Sequence, residues 1–227
     1  MLIKICGITN LEDALVAVDA GAQALGFNFW PSSRRYIAPG AAREIIAKLP
    51  ANILTIGVLV NEASPAAAAQ LADEAGVRGL QLHGDESPAY CKALQGRFII
   101  KVLGVDQNFE PQTANEYDVY AIMLDVADRK DRGGTGRTID WSLARRTREL
   151  TPKLLLAGGL SPENIAAAIE AVNPYGVDAC SALETSPGKK DPQRVRAFIR
   201  AACSALNSAG GPTLDCKDGP PWPRYLN

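Results

Sequence analysis

Eight short apolar runs alternate with longer amphipathic or alanine-rich runs along the first 206 of 227 residues. Short apolar runs are what strands buried on both faces look like, and a 3.6-residue period marks the helices that cover them. The candidate strands are 2–7, 22–29, 54–60, 79–84, 98–105, 119–126, 153–159 and 176–181. Helical patterns fall at 11–20, 40–49, 65–75, 87–95, 140–149, 162–172 and 191–206, with a weaker one at 110–117. Ser64-Pro65, Ser87-Pro88, Ser161-Pro162-Glu163 and Asp191-Pro192 each set a capping side chain before a proline at the first helical position. Gly21 and Gly76 fall where helix C-caps belong. Eight β/α units in series predict an α/β fold, a single closed (β/α)8 barrel over residues 1–207, because crossovers of one hand wrap the sheet onto itself. The competitor is an open doubly wound sheet. It would carry a Gly-rich phosphate loop after its first strand, and Cys6-Gly7-Ile8-Thr9 is not one. Residues 208–227 are rich in Gly, Pro and Asp without a helix or strand period, so a flexible C-terminal tail is expected there.

Composition removes several classes of function. A formal net charge of −1 gives no reason to expect a nucleic-acid partner or an anionic membrane surface. The apolar stretches are far short of a membrane span and the start lacks a signal-peptide pattern, so a cytoplasmic protein is expected. A mostly polar surface favours a monomer. The five cysteines (Cys6, Cys91, Cys180, Cys203 and Cys216) have neither paired nor knuckle-like spacing, so neither a disulfide framework nor a zinc site is indicated. His83 is the only histidine. That removes most catalytic zinc sites and the facial iron triad, and no nucleophile elbow accompanies it for a serine hydrolase. No metal is expected.

In a parallel barrel the chemistry sits at the carboxyl ends of the strands. The first strand ends on Cys6, with Lys4 on the same face by the two-residue period. A nearby ammonium would favour the thiolate, the form able to act as base or nucleophile; a buried space-filling cysteine is the alternative. After the second strand comes Trp30-Pro31-Ser32-Ser33-Arg34-Arg35-Tyr36, where one of two adjacent arginines is expected to face inward and clamp an anion. The fourth strand gives Gln81 and His83 on one face, as substrate contacts or, for His83, a satisfied core histidine. Asp125 ends the apolar sixth strand, either as a general acid with a raised pKa or as an N-cap or ion-pair partner of Arg129, Lys130 or Arg132. Gly134 lies in the glycine cluster that follows, Gly158 and Gly159 end the seventh strand, and Asp178, Cys180, Ser181 and Ala182 belong to the eighth. The loops after strands seven and eight bind phosphate in many such barrels, often on a short helix N-terminus, so a small phosphorylated substrate is inferred. Lys4 and Lys101 are expected to point into the barrel, where each needs a carboxylate or backbone partner.

Eight segments carry a resemblance: KICGIT at 4–9, GFNFWPSSRRYI at 26–37, GVLVN at 57–61, QLHGDE at 81–86, LDV at 124–126, GGTGRTIDW at 133–141, LAGGLSPENI at 156–165 and GVDACSALETSPGKKD at 176–191. In that order and spacing the chain resembles the phosphoribosylanthranilate isomerases of tryptophan biosynthesis across residues 2–206. The resemblance implies a TIM barrel that works without cofactor or metal. It also implies conversion of N-(5-phosphoribosyl)anthranilate to its open-chain 1-deoxyribulose phosphate isomer by an Amadori rearrangement. By motif, Cys6 resembles the general base and Asp125 the general acid. Arg35 resembles the residue that engages the anthranilate carboxylate, and Asp178 one that orients sugar hydroxyls. Gly158, Gly159, Ser181 and Ala182 resemble the phosphate site.

One segment departs from the family pattern. Residues 180–184 read Cys-Ser-Ala-Leu-Glu where many members have Ser-Ser-Gly-Val-Glu, so Ala182 could crowd the phosphate or restrict φ. Rival readings are another phosphosugar isomerase barrel, a non-catalytic phosphosugar-binding protein, or a thiol redox protein built on Cys6 with Cys180 as resolving thiol. The rival barrels want lysine and glutamate at the rim, or aspartate where Cys6 stands.

Overall fold

The computed structural model describes residues 1–126 and 138–208. Eight parallel strands close into a barrel in sequence order: β1 (Leu2–Ile5), β2 (Ala24–Asn28), β3 (Leu54–Leu59), β4 (Gly79–Leu82), β5 (Phe98–Val105), β6 (Ala121–Val126), β7 (Leu154–Leu156) and β8 (Gly176–Ala179). The helices between and after them are α1 (Leu11–Ala20), α2 (Pro39–Ile46), α3 (Pro65–Ala75), α4 (Pro88–Lys92), α5 (Trp141–Leu150), α6 (Ile165–Val172) and α7 (Pro192–Ser208). The barrel is therefore the fold the β/α alternation predicts, and the open sheet is excluded by the β1–β8 pairing.

Strand residues divide into two sets. Leu2, Ala24, Leu54, Ile56, Phe98, Ile100, Met123 and Leu155 fill the barrel, while Ile3, Ile5, Leu25, Phe27, Leu80, Leu82 and Leu124 meet the helices. Both faces are buried, which is why the strands read as continuous apolar runs rather than alternating ones. At the amino end Tyr120 packs on Phe98 with ring centroids 4.2 Å apart and shares a hydroxyl hydrogen bond of 3.0 Å with Tyr175. Lys153 Nζ sits 4.0 Å from the centroid of the same ring and completes that floor.

The caps act largely as the sequence indicates. Ser64 and Ser87 accept from Ala67 N and Tyr90 N, Asp191 accepts from Gln193 N, and Gly21 and Gly76 close α1 and α3 in the left-handed region. Three expectations need correction. The helix predicted from Pro162 starts at Ile165 with Asn164 as cap, because Asn164 folds back onto Ser161 N and the Gly159 carbonyl. The weak pattern at 110–117 is a 3-10 turn, Pro111–Glu116. Lys101 faces the helix layer rather than the barrel interior, where Glu86 and the carbonyls of Leu82 and Gly84 hold its ammonium. Among the described residues Cys6, Cys91 and Cys180 are free thiols. Gly134 and nearly all of the expected tail lie outside the described residues. Among the described residues no helix is long and apolar enough to cross a membrane.

Candidate active site

Lys4 and Asp178 are register partners on β1 and β8, and their side chains form a buried ion pair of 2.8 Å inside the barrel. Burial alone would lower the pKa of Lys4, but Asp178 and then Cys6 hold it well above its usual value. Lys4→Met would leave Asp178 buried without its cation and is expected to destabilise the fold by roughly 3–5 kcal/mol. Urea unfolding would measure this, and the double variant Lys4→Met/Asp178→Asn should recover most of the loss.

One residue further along each strand, Cys6 and Cys180 follow the paired Ile5 and Ala179, and Cys6 N donates to the Ala179 carbonyl at 2.9 Å. A hydrogen bond from Cys180 is the largest influence on the Cys6 thiol. Burial opposes it and the Lys4 ammonium adds to it, leaving the Cys6 pKa lowered to about 6. Cys180 moves the other way and stays a thiol. Two glycines make room for this pair. A Cβ on Gly26 of β2 would come within 2.7 Å of Cys6 Sγ. Gly7 adopts a φ of +76°, and a Cβ there would meet both Cys180 Sγ and Arg35 Cδ at 2.8 Å.

Asp125 occupies the carboxyl end of β6, 8% exposed, with Oδ1 accepting from Val126 N at 2.7 Å. Burial is the dominant cause that pushes its pKa up to about 7; Asp178 and Cys6 add to it, and the Val126 N–H and Lys4 oppose it. A thiol shifted down and a carboxyl shifted up form the kind of divergent pair that separates base from acid in one site. Asp125, Gly158, Gly159, Asp178, Cys180 and Ser181 line a single pocket at this edge. Gly158 has a φ of +81°, and a Cβ there would sit 3.2 Å from Asp125 Oδ1, so the tight turn after β7 passes directly over the carboxyl. A larger cavity, about 230 Å3, opens at the amino end of β5 and β6 beside Arg97 and Tyr120, away from every motif residue.

His83 Nε2 faces Asp125 Oδ2 at 3.6 Å, and Gln81 lies behind the imidazole. Arg34 is exposed, whereas Arg35 is partly buried with Nε and Nη2 both donating to Glu184. Glu184 also accepts from the buried Lys190 at 2.8 Å, and these two cations keep its carboxyl below the usual range against the effect of burial. Glu184 and Lys190 fall inside the 176–191 segment, where neither stands at the end of an apolar strand. The signal for Glu184 is the need of an inward-facing arginine for a carboxylate. Both residues belong to a small hairpin, β9 (Glu184–Ser186) and β10 (Lys189–Lys190), that no periodicity betrays. Ser181 and Ala182 lie in a three-residue 3-10 turn, Ser181–Leu183, shorter than the helix N-terminus expected for a phosphate. Ala182 is not among the positive-φ residues, so the alanine introduces no backbone strain.

A parallel barrel with its shifted thiol and carboxyl gathered at the carboxyl edge has the architecture of a (β/α)8-barrel enzyme. Residues 3–201 match the family model of N-(5'phosphoribosyl)anthranilate (PRA) isomerase. An N-(5'-phosphoribosyl)anthranilate isomerase from Pelobacter propionicus is 50% identical over 202 residues, covering 88% of this chain and 94% of its own. A phosphoribosyl anthranilate isomerase solved in complex with reduced 1-(o-carboxyphenylamino)-1-deoxyribulose 5-phosphate superposes with a TM-score of 0.80 at 39% identity, covering 90% of this chain and all of its own. The monomers generated from the dimeric enzyme of Thermotoga maritima superpose with a TM-score of 0.78 at 39% identity over the same shares. The chain belongs to the N-(5'-phosphoribosyl)anthranilate isomerase family.

Proposed function

We propose that this rim divides the isomerisation between Asp125 as general acid and Cys6 as general base. The reaction is the family's: N-(5'-phosphoribosyl)anthranilate is isomerised to 1-(2-carboxyphenylamino)-1-deoxyribulose 5-phosphate in tryptophan biosynthesis. Asp125 gives its proton to the furanose ring oxygen, the ring opens, and a cationic imine forms at the anomeric carbon. The imine acidifies the neighbouring sugar carbon, and the Cys6 thiolate removes the proton there. The resulting enolamine tautomerises to the ketone. The observation that carries this reading is the opposed shift of two groups at the same edge of the barrel, Cys6 lowered to about 6 and Asp125, which lines the pocket there, raised to about 7.

Gly158, Gly159 and Ser181 share the Asp125 pocket, which supports the turns after β7 and β8 as the phosphate seat. Ala182 belongs to that seat through the 3-10 turn it shares with Ser181, and Gly134 by its motif. Asp178 would orient the sugar hydroxyls, a role supported by the Lys4 ammonium that holds its Oδ1 inside the barrel. Arg35 would engage the anthranilate carboxylate through Nη1, since Glu184 takes its other two nitrogens. Only Leu15, Tyr36 and Leu150 are large exposed hydrophobics among the described residues, which supports a monomer.

The test is the decay of anthranilate fluorescence on freshly made substrate, followed across pH. Activity should rise as Cys6 loses its proton, with a limb near 6, and fall as Asp125 loses its own, with a limb near 7. Absence of turnover, or a profile flat from pH 5 to 8, would defeat the assignment.

A further inference from the structure

Gln81 sits on the inner face of β4, 1% exposed and two residues before His83. Its Nε2 lies 3.1 Å from His83 Nδ1, and its Oε1 is buried with no hydrogen-bond partner among the described residues. On the far side of the same imidazole, Nε2 faces Asp125 Oδ2 at 3.6 Å. The three side chains form a line from the barrel core to the carboxyl at the rim.

The amide has two orientations. With its nitrogen toward His83, one carbonyl oxygen is left unpaired. With its oxygen toward His83, the amino group and its two protons would occupy that same unpartnered position. Protein interiors tolerate an unpaired carbonyl oxygen more readily than an unpaired N–H, which favours the first orientation. An amide N–H aimed at Nδ1 needs a lone pair there, and the neutral ring then carries its proton on Nε2.

We propose that Gln81 is a positioning residue for the isomerisation, holding His83 in the tautomer that presents Nε2–H to Asp125 as that carboxyl gives up its proton. This rests on Asp125 being the general acid. At 3.6 Å the contact is too long for a hydrogen bond while Asp125 is protonated. Shortening it as the carboxylate forms stabilises the transition state more than the resting enzyme. The opposite tautomer would turn a lone pair toward the Asp125 proton and compete for it with the ring oxygen. Cys6 and Lys4 from β1 and Asp178 from β8 also act on the Asp125 charge, but the Lys4 ammonium is already bonded to Asp178 and the other two are acidic groups.

The single histidine makes the tautomer directly readable, since full-length protein labelled with 15N-histidine gives one imidazole in long-range proton–nitrogen spectra. The wild type should show a bare Nδ1 and a protonated Nε2. Gln81→Glu, whose carboxylate accepts from the ring, should draw a proton to Nδ1 and lower kcat about 10- to 100-fold, with KM within about twofold. Gln81→Met is nearly isosteric and removes the unpaired oxygen; it should fold, lose the tautomer preference and lower kcat as well. A wild-type ring protonated on Nδ1 overturns the proposal whether or not any variant folds. So does wild-type kcat in folded Gln81→Met. Asp125→Asn separates the two readings. Full turnover there removes the acid role on which the proposal rests, even with the expected tautomer. An inactive Asp125→Asn beside the wrong tautomer sinks Gln81 alone.

Discussion

Asp125→Asn should lower kcat by about two to four orders of magnitude, because the amide fills the same space but has no proton to give. It should also make the protein more stable at neutral pH. The folded carboxyl holds its proton up to about pH 7, whereas an unfolded aspartate releases it near its ordinary value of 3.8. Between those values the unfolded chain binds fewer protons than the folded one, so the contribution of Asp125 to stability falls as pH rises through this window. Above pH 7 the buried carboxylate is a constant burden, worth up to roughly 4 kcal/mol for a shift of this size. Asparagine carries no such burden. Urea unfolding at pH 4 and pH 8 should therefore show the variant close to wild type at the lower pH and more stable at the higher. Retained turnover would strip Asp125 of its role, and an equal stability gap at both pH values would mean that its carboxyl is not held protonated by burial.

The barrel could be read from the chain because burial on both faces gives each strand a short apolar run, and eight such runs leave little freedom in topology. The rim followed, since Cys6, Asp125 and Asp178 are polar residues placed at or near the ends of apolar strands, where parallel sheets put their chemistry. Lys101 was misread for the same reason that the strands were easy to find. With Ile100 and Val102 beside it and Ile99 and Leu103 beyond, β5 has no alternation to say which face a residue takes. The clamp on Arg35 stayed hidden because it joins residues 149 positions apart, and Glu184 and Lys190 sit on two very short strands. The Gln81–His83–Asp125 line was half visible. The two-residue period aligned Gln81 with His83, but only closure of the barrel brings β4 and β6 to within reach of one imidazole.

Cys6→Ser should remove about two to four orders of magnitude from kcat with little change in fold, since a serine hydroxyl keeps its proton at neutral pH and cannot collect one from carbon. The deeper question is what keeps a buried thiol ionised. Burial acts against the thiolate, and it is overcome by the hydrogen bond from Cys180 first and by the Lys4 ammonium second. Alkylation by iodoacetamide reads this directly, because only the thiolate reacts. In the wild type the rate of Cys6 modification should rise with a midpoint near pH 6. Cys180→Ser keeps a donor at that place and should leave the midpoint nearly unmoved. Cys180→Ala removes the donor and should shift it upward by about a unit or more, the shift a lost hydrogen bond to a buried anion implies. The acid limb of the activity profile should follow the alkylation midpoint in each variant. If the limb stays near pH 6 while the midpoint moves, Cys6 is not the base. If neither moves in Cys180→Ala, the lowered pKa belongs to Lys4 alone.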